Sequence, residues 1–243
     1  MVGMDRTQEQ PSPLVTRKLK LSGLSRSGMV ADVRRHRTGP LAYLAGRNTA
    51  AVLLLSGWAA ELVVLEDGRR QIIDLLLPGQ LVSPQVVRGE VAAFTPCATA
   101  AVRIADATEQ DAERALLHLV AAERSAREAR LFAAVVSLGR RSAYERLAHL
   151  LLNVHLRLFE LGLAQRDSFD LPLTQELLSD VVGLSVVHVN RTLQLLRSER
   201  HLSWQNGRVV FMDRAALAAT VGYAYGKSPV PTGGAADSLR RSA

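Results

Sequence analysis

The sequence predicts an α+β fold in three parts: an antiparallel β domain, one long helix, and a C-terminal unit of two short helices followed by a hairpin. Three observations carry this. Short apolar runs broken by turn residues fill Leu41 to about Ile104. A stretch without Gly or Pro spans Ala107 to Leu138. A tight Gly-containing turn then separates two capped apolar segments after Leu171.

The 243 residues leave room for two modest domains. Composition is that of a globular chain, with 48% hydrophobic and 22% charged residues. Lys and Arg number 30 against 23 Asp and Glu, and the net charge of +7 favours polyanionic partners such as nucleic acid. The one cysteine, Cys97, excludes an intrachain disulfide and any all-cysteine zinc or iron-sulfur site. A reducing cytoplasm is the expected location. No apolar run reaches the roughly 18 to 20 residues of a membrane span. The start, Met1 to Pro13, lacks a signal-peptide core.

Residues 1–40 are rich in basic side chains, among them Arg17, Lys18, Lys20, Arg34, Arg35 and Arg37, and are expected to form a tail and a short helix. Residues 41–106 are expected to form the β domain. Its clearest unit is Ala60 to Leu77, where Leu62–Leu65 and Gln71–Leu77 flank Glu66-Asp67-Gly68-Arg69. Asp-Gly between apolar runs is a strong hairpin signal, and Pro78-Gly79 ends the second strand.

Residues 107–138 read as one long helix dominated by Ala, Leu, Glu and Arg. Its apolar positions cluster at the ends, around Leu116 to Val120 and around Leu131 to Leu138, with a charged middle from Glu123 to Arg130. Such a helix between two domains is a dimer seam or a helix packed on its own domain. The absence of a strict heptad leaves both open. Residues 139–213 form the C-terminal unit, beginning with a helix from Ser142 to Leu161 that carries Leu147, Leu150, Leu151, Val154 and Leu158 at helical spacing. Residues 226–243, rich in Gly, Pro, Ser and Ala, read as a disordered tail.

Function is concentrated between about Leu171 and Met212. Thr174 caps a short helix, Glu176 lies in its first turn, and Gly183 ends it. Ser185 then caps a second helix after about three residues. Two helices joined this tightly are a helix-turn-helix. At about 100° per residue, Val189, Thr192, Leu193 and Leu196 fall on one side of the second helix. Val187, Asn190, Arg191 and Gln194 fall on the other, where Arg suits guanine and Asn suits adenine. Leu202 to Met212 then gives two strands about Asn206-Gly207, the hairpin of a winged helix. The expected DNA-contacting residues are Thr174, Gln175, Ser185, Val187, His188, Asn190, Arg191 and Gln194.

The order of these parts resembles the cyclic-AMP receptor protein and FNR (Crp-Fnr) family of bacterial transcription regulators, the FNR-type branch in particular. The resemblance covers about Leu41 to Met212. It is carried by Leu55-Ser56-Gly57-Trp58, by Asp67-Gly68-Arg69-Arg70-Gln71 with Leu76-Leu77-Pro78-Gly79, and by Leu138-Gly139-Arg140-Arg141-Ser142-Ala143-Tyr144-Glu145-Arg146-Leu147-Ala148. In the helix-turn-helix it is carried by Leu171-Pro172-Leu173-Thr174-Gln175 and Leu184-Ser185-Val186-Val187-His188-Val189-Asn190-Arg191-Thr192-Leu193. It implies a cyclic-nucleotide-binding-like β-roll as sensor, a long dimerisation helix, a homodimer on double-stranded DNA, and RNA polymerase as a partner.

The chain also departs from that family. Nucleotide-binding members hold phosphate and ribose with a Gly-Glu pair and an Arg followed by Ser or Thr and Ala. The corresponding stretch here, Gly79 to Glu90, has no Arg followed by Ser or Thr and Ala, and Arg88 is an unconvincing substitute, so a buried phosphodiester would be costly and cyclic AMP is not expected to bind. The FNR iron-sulfur cluster needs several cysteines, so none is expected here, and the role of Cys97 stays between core residue and thiol sensor. The six histidines, His36, His118, His149, His155, His188 and His201, show no metal-ligand spacing. No catalytic motif stands out, and no enzyme activity is expected. An alternative reading is a ligand-sensing roll whose C-terminal helices bind a protein instead of DNA.

Overall fold

The computed structural model describes residues 29–41, 51–83, 87–104 and 110–225. Two four-stranded antiparallel sheets form a roll. Eight strands build it: β1 (Met29–His36), β2 (Gly39–Pro40), β3 (Ala51–Ser56), β4 (Ala59–Val64), β5 (Arg70–Leu76), β6 (Leu81–Val82), β7 (Glu90–Ala93) and β8 (Cys97–Ile104). One sheet has the order β1-β8-β3-β6, the other β2-β7-β4-β5.

Strand alternation explains how the roll is buried on several faces at once. Val52, Leu54, Ala59, Leu76, Val91, Ala93 and Cys97 meet between the two sheets. The opposite face of β3, carrying Ala51, Leu53 and Leu55, packs with Ala100 against Leu116 of the long helix α1 (Gln110–Arg140). A strand buried on both faces reads as a continuous apolar run, which Ala51 to Leu55 is. The outward face of the second sheet contributes Ala60, Leu62, Ile72, Leu75 and Leu77 to the same core as the C-terminal unit.

The sequence reads as a tail and short helix through residue 40, yet Met29–His36 form β1 and pair along β8 from Met29↔Ile104 to His36↔Cys97. Among the described residues β1 is an edge strand; its Arg34 and Arg35, and Arg37 just beyond it, are exposed, and charged residues at a sheet edge discourage further pairing while masking the strand pattern. Residues 1–28 and the tail expected at 226–243 lie outside the described residues.

The C-terminal unit contains α2 (Ala143–Glu160), β9 (Ser168–Asp170), α3 (Gln175–Val182), α4 (Val186–Ser198), β10 (Leu202–Gln205), β11 (Arg208–Phe211) and α5 (Arg214–Thr220). Ser142 opens α2 with a capping box: its hydroxyl accepts from the Glu145 amide while the Glu145 carboxylate accepts from the Ser142 amide at 2.7 Å. β9 adds a third strand to the expected hairpin, in the order β10-β11-β9. Leu147, Leu151, Leu178, Leu193, Leu196, Phe169 and Phe211 fill the core beneath.

Candidate nucleic-acid interface

The geometry of the helix pair follows from three local devices. Thr174 Oγ1 accepts from the Leu177 amide at 3.2 Å, and Ser185 Oγ from the His188 amide at 3.3 Å, so each helix begins with one of its free N–H groups satisfied. Between them Gly183 adopts φ 63° and ψ 42°, the left-handed conformation that ends α3. Its amide donates to the Ser179 carbonyl at 2.9 Å.

The two faces of α4 differ sharply. Val189, Thr192, Leu193 and Leu196 are buried, and the Thr192 hydroxyl is satisfied by the His188 carbonyl at 2.8 Å. On the outward side Val187 is 63% exposed. His188, Arg191 and Gln194 are also exposed, and Asn190 is half-buried. Thr174 and Ser185 are exposed at the two helix starts, and Gln175 is half-buried beside Thr174. The Arg191 guanidinium is free of intramolecular partners among the described residues, an arrangement suited to a bidentate acceptor such as a guanine edge or a phosphate.

Behind α4 the wing turns at Asn206 and Gly207, with φ 51° and 75°, the positive pair that a two-residue hairpin turn requires. Arg208 braces it across β9, meeting Asp170 at 3.1 Å and Ser168 Oγ at 2.8 Å.

The Crp-like helix-turn-helix domain family matches residues 145–220, which enclose the whole helix pair and wing. The chain is 31% identical over 182 residues to the transcriptional activator protein FnrL of Cereibacter sphaeroides, spanning 70% of this chain and 71% of that protein. The chain belongs to the Crp-Fnr family of transcription regulators. The nitrogen fixation regulation protein FixK of Bradyrhizobium diazoefficiens is 30% identical over 164 residues, covering 64% of this chain and 67% of that one. The structure of FixK2 from Bradyrhizobium japonicum shares the fold, with a TM-score of 0.64 at 23% identity over 78% of this chain and 96% of that one.

A Crp-Fnr roll that bound a cyclic nucleotide would need space and cationic donors between the roll and the long helix. Beside Glu61 and Ser83 the roll and the long helix leave a cavity of about 20 Å³, lined also by Asp74, Glu123, Arg127 and Arg130. It has room for about one water molecule. Its carboxylates already engage its arginines: Arg127 reaches Glu61 at 2.5 Å and Arg130 reaches Asp74 at 2.8 Å. These residues do not fit a cyclic nucleotide. One cysteine in the chain likewise does not fit a cysteine-ligated cluster. Burial pushes the Cys97 thiol up to about 11, so it is protonated at neutral pH and packs as a core residue between the sheets.

Sequence reasoning missed the residues that fix the DNA-binding unit on the Crp-Fnr roll. Gln71 Nε2 donates to the carbonyls of Asp180 and Val181 at 2.9 and 3.3 Å, at the end of α3. Arg70 pairs with Glu176 and Asp180 at 2.9 and 2.8 Å. Arg157 of α2 donates to Leu75 O and Gln80 Oε1 at 2.6 and 2.7 Å, and its burial away from water depresses its pKa to about 10. The local signal for Arg70 and Gln71 is the polar run Arg69-Arg70-Gln71 at the start of a strand, and Arg157 has none.

Proposed function

We propose that the chain is a cytoplasmic, non-enzymatic regulator that binds double-stranded DNA as a homodimer on an inverted repeat and controls transcription by recruiting or blocking RNA polymerase. The observation that carries the reading is the face of α4 formed by Val187, Asn190, Arg191 and Gln194. It is turned away from the core and has at its centre a guanidinium that is unpartnered among the described residues. α4 lies in the major groove, Arg191 contacts guanine O6 and N7, and Asn190 or His188 adds a secondary preference. Thr174, Gln175 and Ser185, near the starts of the two helices, hold phosphates.

Dimer formation rests on α1, where Leu117, Phe132, Val135 and Leu138 are exposed, Val135 by 70%. A run of large apolar side chains along one helix calls for a covering surface, and a second copy of α1 supplies it symmetrically. The test is to incubate purified protein with fragmented bacterial DNA, recover the bound fragments and sequence them. An inverted repeat with half-sites about 34 Å apart, one helical turn, is expected. Recovery without any shared sequence overturns the reading.

A further inference from the structure

We propose that the roll contains an anion-binding site that the chain fills from within, with the Glu61 carboxylate as its permanent ligand. Glu61 is 2% exposed and lies on β4. Its Oε1 accepts from the backbone amides of Arg88 and Gly89 at 2.8 and 3.1 Å, and its Oε2 accepts from Arg127 Nη2 of α1 at 2.5 Å. Two converging amides and a guanidinium are the donor set of a bound phosphate or carboxylate.

The loop is shaped for this contact. A Cβ on Gly89 would lie 2.3 Å from the Leu62 carbonyl oxygen, so only glycine lets the amides press against β4. Arg88 and Gly89 belong to the stretch that corresponds to the phosphate-holding cassette of nucleotide-binding relatives. The neighbouring cluster is satisfied separately, with Arg130 forked onto Asp74 at 2.8 to 3.2 Å and touching Glu123 at 3.2 Å.

A tethered carboxylate has a far higher effective concentration at the site than any free anion in solution. It therefore keeps α1 joined to the roll through Arg127 without an effector, and a small anion enters only when Glu61 is removed. This deepens the proposed function by making the roll's closure effector-independent, but its test involves no DNA and stands or falls apart from that reading.

The experiment is thermal melting of the full chain with sodium formate or sodium acetate against sodium chloride at equal ionic strength. Wild type is expected to melt alike in all three. Glu61→Ala leaves two amides and a half-buried guanidinium without their anion and is expected to melt roughly 10 °C lower. Formate or acetate should recover much of that loss, and chloride should not. Glu61→Gln keeps the shape and blocks entry, so it should melt low and show no recovery.

Absence of recovery in Glu61→Ala, or equal stabilisation of wild type by the organic anions, overturns the proposal. If Glu61→Ala does not fold in any of the salts, a cycle of Glu61→Gln, Arg127→Met and the double variant decides. A double variant melting close to the weaker single supports the site, and additive losses overturn it.

Discussion

Arg146 Nη2 lies 2.7 Å from the Leu138 carbonyl, so a residue of α2 closes the end of the helix before it. The same guanidinium reaches the Arg141 carbonyl at 2.9 Å and the Val182 carbonyl at 3.3 Å, at the end of α3. One side chain thus fixes the exit of α1 relative to the helix-turn-helix, while Gln71 holds the end of α3 from the roll. Charge-assisted bonds of this kind contribute about 2 kcal/mol when removal leaves carbonyls unsatisfied. Arg146→Met is expected to lower the melting temperature by roughly 4 to 8 °C and to speed hydrogen exchange at the ends of α1 and α3. Arg146→Lys should recover only part of this, because an ammonium cannot serve three carbonyls in a fork. Exchange unchanged at both helix ends would sink the idea.

Acid should weaken the C-terminal unit before carboxylates titrate. Desolvation lowers the pKa of His155 and His149 from 6.5, against hydrogen bonds that hold both rings in place. His155 Nε2 donates to the Gln165 carbonyl at 2.9 Å, and His149 Nε2 to the Val221 carbonyl at 2.7 Å. Below pH 6.5 the unfolded chain takes up protons that these folded rings refuse, so their contribution is full above 6.5 and lost as the pH falls. Each ring costs up to about 1.4 kcal/mol per pH unit in that window. Urea unfolding at pH 7.5, 6.5 and 5.5 should show the decline, and His155→Gln should flatten it. Equal stability at pH 7.5 and 5.5 would contradict the assignment.

What was legible in the sequence was local. Thr174, Gly183 and Ser185 each set a backbone conformation within a few residues of themselves, and the 3.6-residue period of Val189, Leu193 and Leu196 needs only one helix to be read. The chemistry that joins the parts has no such period. Gln71 meets the Asp180 carbonyl across 109 residues of chain. β1 meets β8 across more than sixty residues, and its exposed arginines resemble a basic tail until the partner strand is known. Glu61 was one charge in an apolar run, and its burial follows from Arg127 on a helix that the pattern alone cannot dock.

The exposed apolar side chains of α1 predict a mass. Sedimentation at micromolar concentration should give about twice the 26.4 kDa of the chain. Val135→Arg places a guanidinium in the middle of the proposed seam and should shift the protein to the single-chain mass, since an unpaired buried charge is strongly unfavourable. DNA affinity should fall with it. A variant that stays dimeric would move the interface elsewhere on the molecule.

The sharpest expectation concerns base preference, because Val187 is 63% exposed on the outward face of α4. Valine accepts no hydrogen bond but packs against a thymine methyl, so the half-site position it meets should be degenerate or biased to thymine. Val187→Glu should convert it to a cytosine preference. Arg191→Ala should cost about 1 to 3 kcal/mol per half-site and relax the choice at the guanine. Gln175→Ala should weaken binding to all sequences alike, since a phosphate contact carries no base information. Binding-site selection with wild type and the three variants separates these outcomes. If Arg191→Ala selects the same sequences as wild type, α4 presents a different edge to the groove, and the assignment of Asn190 and Gln194 to that face falls with it.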